Sequence, residues 1–388
     1  MQGGVRKRGL VWYYYFEIDS DNGKRKKIER KGGSTKPEAQ ATLRAEILKY
    51  ENGYVEPKKQ TIKAYLDDWL ENYIKENRKI NTYNRYKEIL KNNICPSMGD
   101  VLLKNIKPIF IDKMLATEKK NGLSNTTLQN IYSVLNSAFN RAVKLRVMPD
   151  NPCRYVDRPK RDKFIPNVLT VEEFNNISNS LKLDSYNNYI FWIALQIVLE
   201  LGLRRGELGG LEWSNIDYEK NTILIKNNLI YSNSKVFINT TKTQESERVL
   251  YISYELIKLL KSHKTIQSSN KLSYGENYIK NTFNNKEYNF VMTWENGKYV
   301  HPNYYTSKFK KVLNNINFDR NIRFHDLRHT NATLMLENGT DLKVIQERLG
   351  HADYATTANI YAHVNLEMQK KASGKLTKII HGGKPVAK

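Results

Sequence analysis

"FHDLRHT" occupies residues 324–330. His325 and Arg328 stand three apart, so on a helix both side chains project from one face. Two cationic groups side by side repel each other, and the pairing makes sense when an anion lies between them. A metal site fits less well. His325 and His329 are four apart, but the glutamate of the metalloprotease pattern is missing, and only Asp326 is nearby to complete a ligand set. The stretch therefore reads as half of an anion-binding site on a helix, and the question is what supplies the other half.

Downstream lies "IQERLGHADYATTANIYAHVN", residues 345–365. Val344, Ile345 and Leu349 form a short apolar stripe. Gly350 is suited to end that helix, because positive φ costs glycine nothing. His351 follows at once. Thr356 or Thr357 can cap a further helix that carries Tyr361 on its second turn. Upstream, "LGLRRGELGGL" (201–211) turns Leu201, Leu203, Leu208 and Leu211 to a core and sets Arg204 and Glu207 three apart on a helix surface, close enough to pair. "INTTKTQESERVLYI" (238–252) places Lys242 in a turn between strand-like runs.

Each piece alone has a plain structural explanation: an ion pair, a solvated lysine, a helix-packed tyrosine. Together they describe one reaction. Two arginines, a lysine and two histidines can clamp a phosphodiester and stabilise the charge of a five-coordinate phosphorus. A tyrosine can be the covalent nucleophile. Its ordinary pKa is near 10, so it needs a proton acceptor or an activated phosphate. A histidine can supply the first, and Lys242 can protonate the departing sugar oxygen. No metal ligand set and no glycine-rich nucleotide loop is visible, so no metal and no cofactor is expected. Bond energy would be kept in a protein–DNA linkage.

The charge agrees with that substrate. The chain of 388 residues carries 63 Lys and Arg against 40 Asp and Glu, a formal net charge of +23. An excess this large points to a polyanion. A membrane surface is the weaker reading, since no apolar run approaches the length of a spanning helix. The N-terminal residues do not read as a secretory signal. Cys95 and Cys153 are too few for a disulfide scaffold or a thiolate metal site. The expectation is a soluble cytoplasmic protein on DNA.

Three regions differ in composition. In the first, "LVWYYYFEID" (10–19) reads as a strand, "DSDNG" (19–23) as a turn, and "KRKKIERKGG" (24–33) as a second strand. A helix follows, with Thr35 and Glu38 as its capping box and Gly53 as its stop. Alternation puts Trp12, Tyr14, Phe16 and Ile18 against that helix. It leaves Tyr13 and Tyr15, with Arg25 and Lys27, on an open face suited to DNA, although a merely solvated sheet face would look the same. Beyond "EPKKQ" (56–60), residues 61–150 have helical periodicity, for example Ile62, Tyr65, Leu66, Trp69, Leu70 and Tyr73. After the basic linker 157–167, a capping box at Thr170 and Glu173 opens a mixed region. It contains a buried helix, strands joined by turns over 222–252, and a remainder that is mainly helical.

"GLRRGE", "TKT" before "SERVLYI", "HDLRHT", "LGHAD" and "TTANIYAH" resemble, in order and spacing, the motifs of tyrosine recombinases, in particular integrases of temperate phages and conjugative transposons. The resemblance spans essentially the whole chain. It implies a multidomain protein, mainly α with small β. The parts would be a three-stranded arm-binding sheet plus helix (1–55), a helical core-binding bundle (61–156) and a mixed α/β catalytic domain (168–380). It also implies roles. Arg204 would be the first catalytic arginine, Lys242 the hairpin lysine, His325 and Arg328 the His-x-x-Arg pair, His351 the second histidine and Tyr361 the nucleophile. The tyrosine would form a 3′-phosphotyrosyl bond and free a 5′-hydroxyl. The implied partners are double-stranded DNA with core and arm sites, and a homotetramer on two duplexes. An excisionase and a host DNA-bending protein are candidate accessories. The segment 366–380 would dock on a neighbouring protomer. A type IB topoisomerase would use much the same residues on one duplex, and a non-catalytic DNA-binding regulator would need none of them. The separate basic N-terminal sheet favours the integrase over the first, and the intact set of six candidate residues argues against the second.

Overall fold

The computed structural model describes residues 1–19, 25–52, 60–162, 167–232, 234–240, 247–350 and 373. Turn residues 20–23, the Gly53 stop, linker residues 56–59, Lys242, His351, Thr356, Thr357 and Tyr361 lie outside them. The chain forms two compact units, 1–163 and 164–388.

The first unit opens with an antiparallel sheet, β1 (Gly3–Arg8), β2 (Val11–Asp19) and β3 (Arg25–Gly33), in that order. Helix α1 (Lys36–Glu51) starts at the expected box, where the Glu38 backbone N–H donates to the Thr35 hydroxyl and the Thr35 N–H to the Glu38 carboxylate. The alternation in β2 holds at Tyr14, Phe16 and Ile18, whereas Trp12, beside a register shift in the β2–β3 ladder, lies outside the apolar cluster. Tyr14 and Phe16 are buried with Ile28, Leu43 and Tyr50, while Tyr13 and Tyr15 are not. The three strands implied by the resemblance are present, but the position of the third, β1, was not legible in the residues. "GGVRKR" has few strand-forming side chains, and its pairing comes from the backbone ladder with β2.

A separate apolar cluster holds the helical part of this unit. Its helices are α2 (Ile62–Trp69), α3 (Lys75–Asn77), α4 (Ile80–Ile89), α5 (Cys95–Met98), α6 (Pro108–Lys120) and α7 (Asn125–Lys144). Leu70–Ile74 and Leu90–Ile94 are π turns inserted between α2 and α3 and between α4 and α5. The sequence explains the first. Its apolar positions 62, 66, 70 and 74 recur every fourth residue, which on an α-helix walks the stripe round by roughly 40° per step. The wider turn, closed by Lys75 N–H to Leu70 O, lets Ile74 stay in the core.

In the second unit, α8 (Val171–Asn179) begins at the predicted Thr170–Glu173 box, and α9 (Tyr186–Leu201) is the buried helix. A short α10 (Arg205–Gly209) follows. Then come a sheet of β4 (Ile216–Asp217), β5 (Thr222–Ile225) and β8 (Arg248–Tyr251), and a hairpin of β6 (Asn227–Ser232) and β7 (Lys235–Thr240). Helix α11 (Tyr254–Tyr274) leads to a second hairpin, β9 (Asn281–Phe283) and β10 (Lys286–Tyr288), and then to α12 (Pro302–Asn315), α13 (Asp326–Glu337) and α14 (Leu342–Leu349). The β9–β10 hairpin departs from the mainly helical expectation. Asn284 and Asn285 both take positive φ, as a tight hairpin turn requires, and Asn bears that at small cost. Val344 also departs from its expected stripe. It is 50% exposed, while Ile345 and Leu349 are buried.

Candidate active site

Helix α9 stops because Gly202 turns left-handed, at φ 63°. The chain then buries Leu203 and presents Arg204 at the head of α10. The glycines after it serve a close approach. A Cβ on Gly206 would sit 1.8 Å from Asn228 Oδ1 and 2.9 Å from Leu229 O, so only glycine lets β6 lie on α10.

The pair expected on a helix surface is instead interior at its acidic end, while Arg204 stays half-buried. Glu207 is 3% exposed. Its carboxylate accepts from the Arg204 backbone N–H (3.0 Å) and Arg204 Nη1 (2.7 Å). It also accepts from Arg248 Nη1 (3.3 Å) and Nη2 (2.9 Å), and Arg328 Nη1 stands 4.0 Å away. Burial by itself would raise this carboxyl. The hydrogen bond and charge of Arg248, with the charges of Arg204 and Arg328, outweigh it and hold Glu207 at about 2. Three guanidinium groups thus share one carboxylate, and the surplus charge in a low-dielectric setting favours a further anion.

The same three arginines hold the end of α14. Arg248 Nε donates to Arg348 O (2.7 Å), Arg328 Nη2 to Leu349 O (2.5 Å) and Arg204 Nη2 to Gly350 O (2.8 Å). These are three consecutive carbonyls at a helix C-terminus, which lacks internal partners and favours cations. Gly350 takes the left-handed conformation expected of it, at φ 63°. Arg328 also donates to Gly202 O (2.8 Å), tying the end of α9 to the end of α14. Arg328 is 1% exposed, and burial, with help from Arg204 and Arg248, draws it down to about 9. It stays charged at neutral pH.

His325 occupies the N-cap position of α13. Burial first, then His329, Arg328 and Arg204, lower it to about 4, so the imidazole is neutral at pH near 7. It faces His329 edge-on, with ring centroids 5.3 Å apart. Arg204, Arg328 and His325 are therefore brought into one electrostatic neighbourhood. Sequence reasoning missed Arg248, although it lies inside the quoted "SERVLYI", and missed that Glu207 is the group joining the arginines.

On the sheet of the first unit, Tyr13, Tyr15 and Lys27 share the face away from α1. Lys27 Nζ lies 4.5 Å from the Tyr15 ring centroid, and Arg6 and Arg8 lie over Tyr15 and Tyr13 at 5.7 and 5.8 Å. Arg25 reaches Glu17 at 4.0 Å. Glu29 binds Arg6 and Arg8 and lies across from Tyr15. Arg6 and Arg8 were not anticipated because the residues did not locate β1.

Among the described residues no group of three or more His, Cys, Asp or Glu is placed to hold a metal ion, and no helix is long and apolar enough to cross a membrane.

Residues 167–368 match the phage integrase family, residues 61–118 the phage integrase N-terminal SAM-like domain, and residues 5–49 an arm DNA-binding domain. A XerC-like tyrosine recombinase of Caldanaerobacter subterraneus subsp. tengcongensis is 30% identical over 371 residues, 91% of this chain and 92% of that protein. The integrase of Staphylococcus phage L54a is 27% identical over 84% of this chain and 95% of its own. The fold is shared with the Tn1549 transposon integrase solved with a circular intermediate DNA (TM-score 0.68, 21% identity, 82% of this chain and 99% of that one). It is also shared with the lambda integrase tetramer solved on a Holliday junction (TM-score 0.60, 17% identity, 92% and 94%). With its three arginines gathered on one buried carboxylate, a family match over residues 167–368 and a relative matched over 91% of this chain's length, the chain belongs to the phage integrase family and is a site-specific tyrosine recombinase.

Proposed function

We propose that this recombinase integrates and excises a mobile element, with Arg204, Lys242, His325, Arg328, His351 and Tyr361 as its catalytic set. The observation that carries the reading is the convergence of Arg204 and Arg328 on Glu207 and on the end of α14, from which residue 351 continues. A phosphodiester beside these guanidinium groups has its developing charge neutralised without a metal. The Tyr361 oxygen attacks phosphorus, and its proton passes to a histidine. The bond to the 5′-oxygen breaks, and that oxygen takes a proton from Lys242. A 3′-phosphotyrosyl bond and a free 5′-hydroxyl remain. The 5′-hydroxyl of a partner strand then attacks the phosphotyrosine and restores the phenol, so the number of phosphodiester bonds is unchanged. Neutral His325 suits a donor or acceptor role that does not add to the local positive charge.

By this reading residues 1–55 bind arm-type DNA through Tyr13, Tyr15, Arg25 and Lys27, residues 61–156 bind the core site, and residues 168–380 carry the chemistry. Four protomers act on two duplexes in the bacterial cytoplasm, with an excisionase and a host bending protein as accessories. Tetramer assembly on DNA is supported by analogy with the lambda integrase complex.

A suicide duplex carrying the attachment core, nicked so that the cleaved fragment diffuses away, tests the assignment. The wild type accumulates a covalent protein–DNA adduct and Tyr361→Phe forms none. An adduct with Tyr361→Phe shows that the nucleophile is another residue.

A further inference from the structure

We infer that Arg205, His301 and Tyr231 form a second phosphate-binding site that grips the same DNA strand next to the phosphate held at Arg204; this rests on the recombinase reading above.

Arg204 and Arg205 are consecutive, so their Cα atoms are about 3.8 Å apart. Their guanidinium groups part company. Arg204 reaches the end of α14 through Gly350 O, whereas Arg205 Nη1 reaches Thr306 Oγ1 on α12 at 3.0 Å. One point of the chain thus sends cations in two directions, as contacts to successive phosphates along a strand require. Arg205 is half-buried, and burial draws its pKa down. Among the described residues it makes no ion pair with a carboxylate. His301, at the head of α12, is lowered first by burial and then by Arg205 and Lys298, with no acidic group among the causes. A partly desolvated positive cluster without an anion is costly by itself and strongly attractive to one from outside.

The donors point to a phosphate oxygen. His301 Nδ1 accepts the Asn303 backbone N–H at 3.1 Å, so the neutral ring carries its proton on Nε2 and that nitrogen is a donor. The Tyr231 ring stands edge-on to His301 with centroids 4.5 Å apart, and its side chain is exposed. A guanidinium fork, an imidazole N–H and a phenol are common contacts to DNA phosphates, and they position DNA without reading its bases.

The test uses the full chain and core-site duplexes in which one phosphate at a time is replaced by an uncharged methylphosphonate. For the wild type, neutralising one non-scissile phosphate weakens binding on the order of tenfold. Arg205→Gln binds the unmodified duplex correspondingly less well, is indifferent to that one replacement, and loses about one unit of salt slope. His301→Gln shows the same insensitivity in weaker form. Should Arg205→Gln melt well below the wild type, the methylphosphonate map of His301→Gln decides instead. An unchanged methylphosphonate map in the variant tested, or an unchanged salt slope in a folded Arg205→Gln, overturns the site. A wild type that binds but forms no adduct with the suicide duplex overturns the recombinase reading instead, and the map remains interpretable.

Discussion

Arg248 Nη2 lies 2.9 Å from Glu207 Oε2, and both side chains are almost fully buried. The two residues are 41 positions apart, one on β8 and the other on α10. The pair joins the sheet to the helix that presents Arg204. Because Arg204 and Arg328 rely on the same carboxylate, Glu207 fixes the geometry of the candidate site as well as its charge.

Replacing Glu207 by Gln keeps the shape and removes the charge that compensates two buried cations, Arg248 and Arg328, and the half-buried Arg204. Urea unfolding of Glu207→Gln should show a loss of roughly 3–5 kcal/mol, the cost of leaving buried charge unpaired. Arg248→Met should cost less, because Glu207 keeps Arg204. The double variant should be clearly more stable than the sum of the singles implies. Strict additivity would show that the two groups do not interact.

Local structure was legible where the physics is local. Thr35 with Glu38 and Thr170 with Glu173 mark helix starts because cap and acceptor sit three residues apart. Tyr14 and Phe16 were placed inside by strand alternation. Of the candidate site, Arg204, His325 and Arg328 were legible as motif members, but Arg204 with Glu207 read as an ordinary surface pair. What encloses Glu207 and holds Arg204 is Arg248 and the carbonyls of residues 348–350, groups more than a hundred positions from one another in places, which no local pattern encodes. Strand β1 escaped for a related reason, since its partner rather than its composition makes it a strand.

Gly206→Ala tests the packing of β6 on α10. The added methyl would overlap Asn228 Oδ1 and crowd the backbone oxygen of Leu229. Overpacking of this kind costs about 1–3 kcal/mol. The shift should also disturb the β6–β7 hairpin, so adduct formation should fall by more than the stability loss explains. Gly9→Ala is the control for backbone strain without crowding, since Gly9 stands at φ 61° with open space around it; it should lose some stability and leave adduct formation intact. Equal activity of Gly206→Ala and the wild type would rule out a packing role for this glycine.

Deletion of residues 1–55 should spare adduct formation on a core duplex and weaken recombination of full-length attachment sites. Within that region, Tyr15→Ala with Lys27→Ala removes the stacked pair on the open face and should reproduce most of the defect. Full recombination by the truncated chain would exclude an arm-binding role.

Acid should weaken the second unit through its buried histidines. His263 is fully buried, donates from Nε2 to Val291 O (2.9 Å) and accepts from the Tyr189 hydroxyl at Nδ1 (3.2 Å). Burial lowers it from 6.5 to about 4, against a small opposing effect of the Val291 carbonyl. Between those values the unfolded chain binds a proton that the folded chain does not, so stability rises with pH there and is lost as pH falls from 6.5 toward 4. For His263 the loss between pH ~7 and pH ~5 is about 2 kcal/mol. Glu207 is no confounder at these pH values, because its folded carboxyl, near 2, adds stability that is lost only below the ordinary carboxylate range. Denaturant unfolding at the two pH values should therefore show a smaller difference for His263→Gln than for the wild type. His325, also lowered to about 4, should behave differently from His263: a bound phosphate stabilises its charged form, so core DNA should reduce its share of the acid loss and leave that of His263 untouched. A pH dependence identical in wild type and His263→Gln would mean that another group titrates in this range.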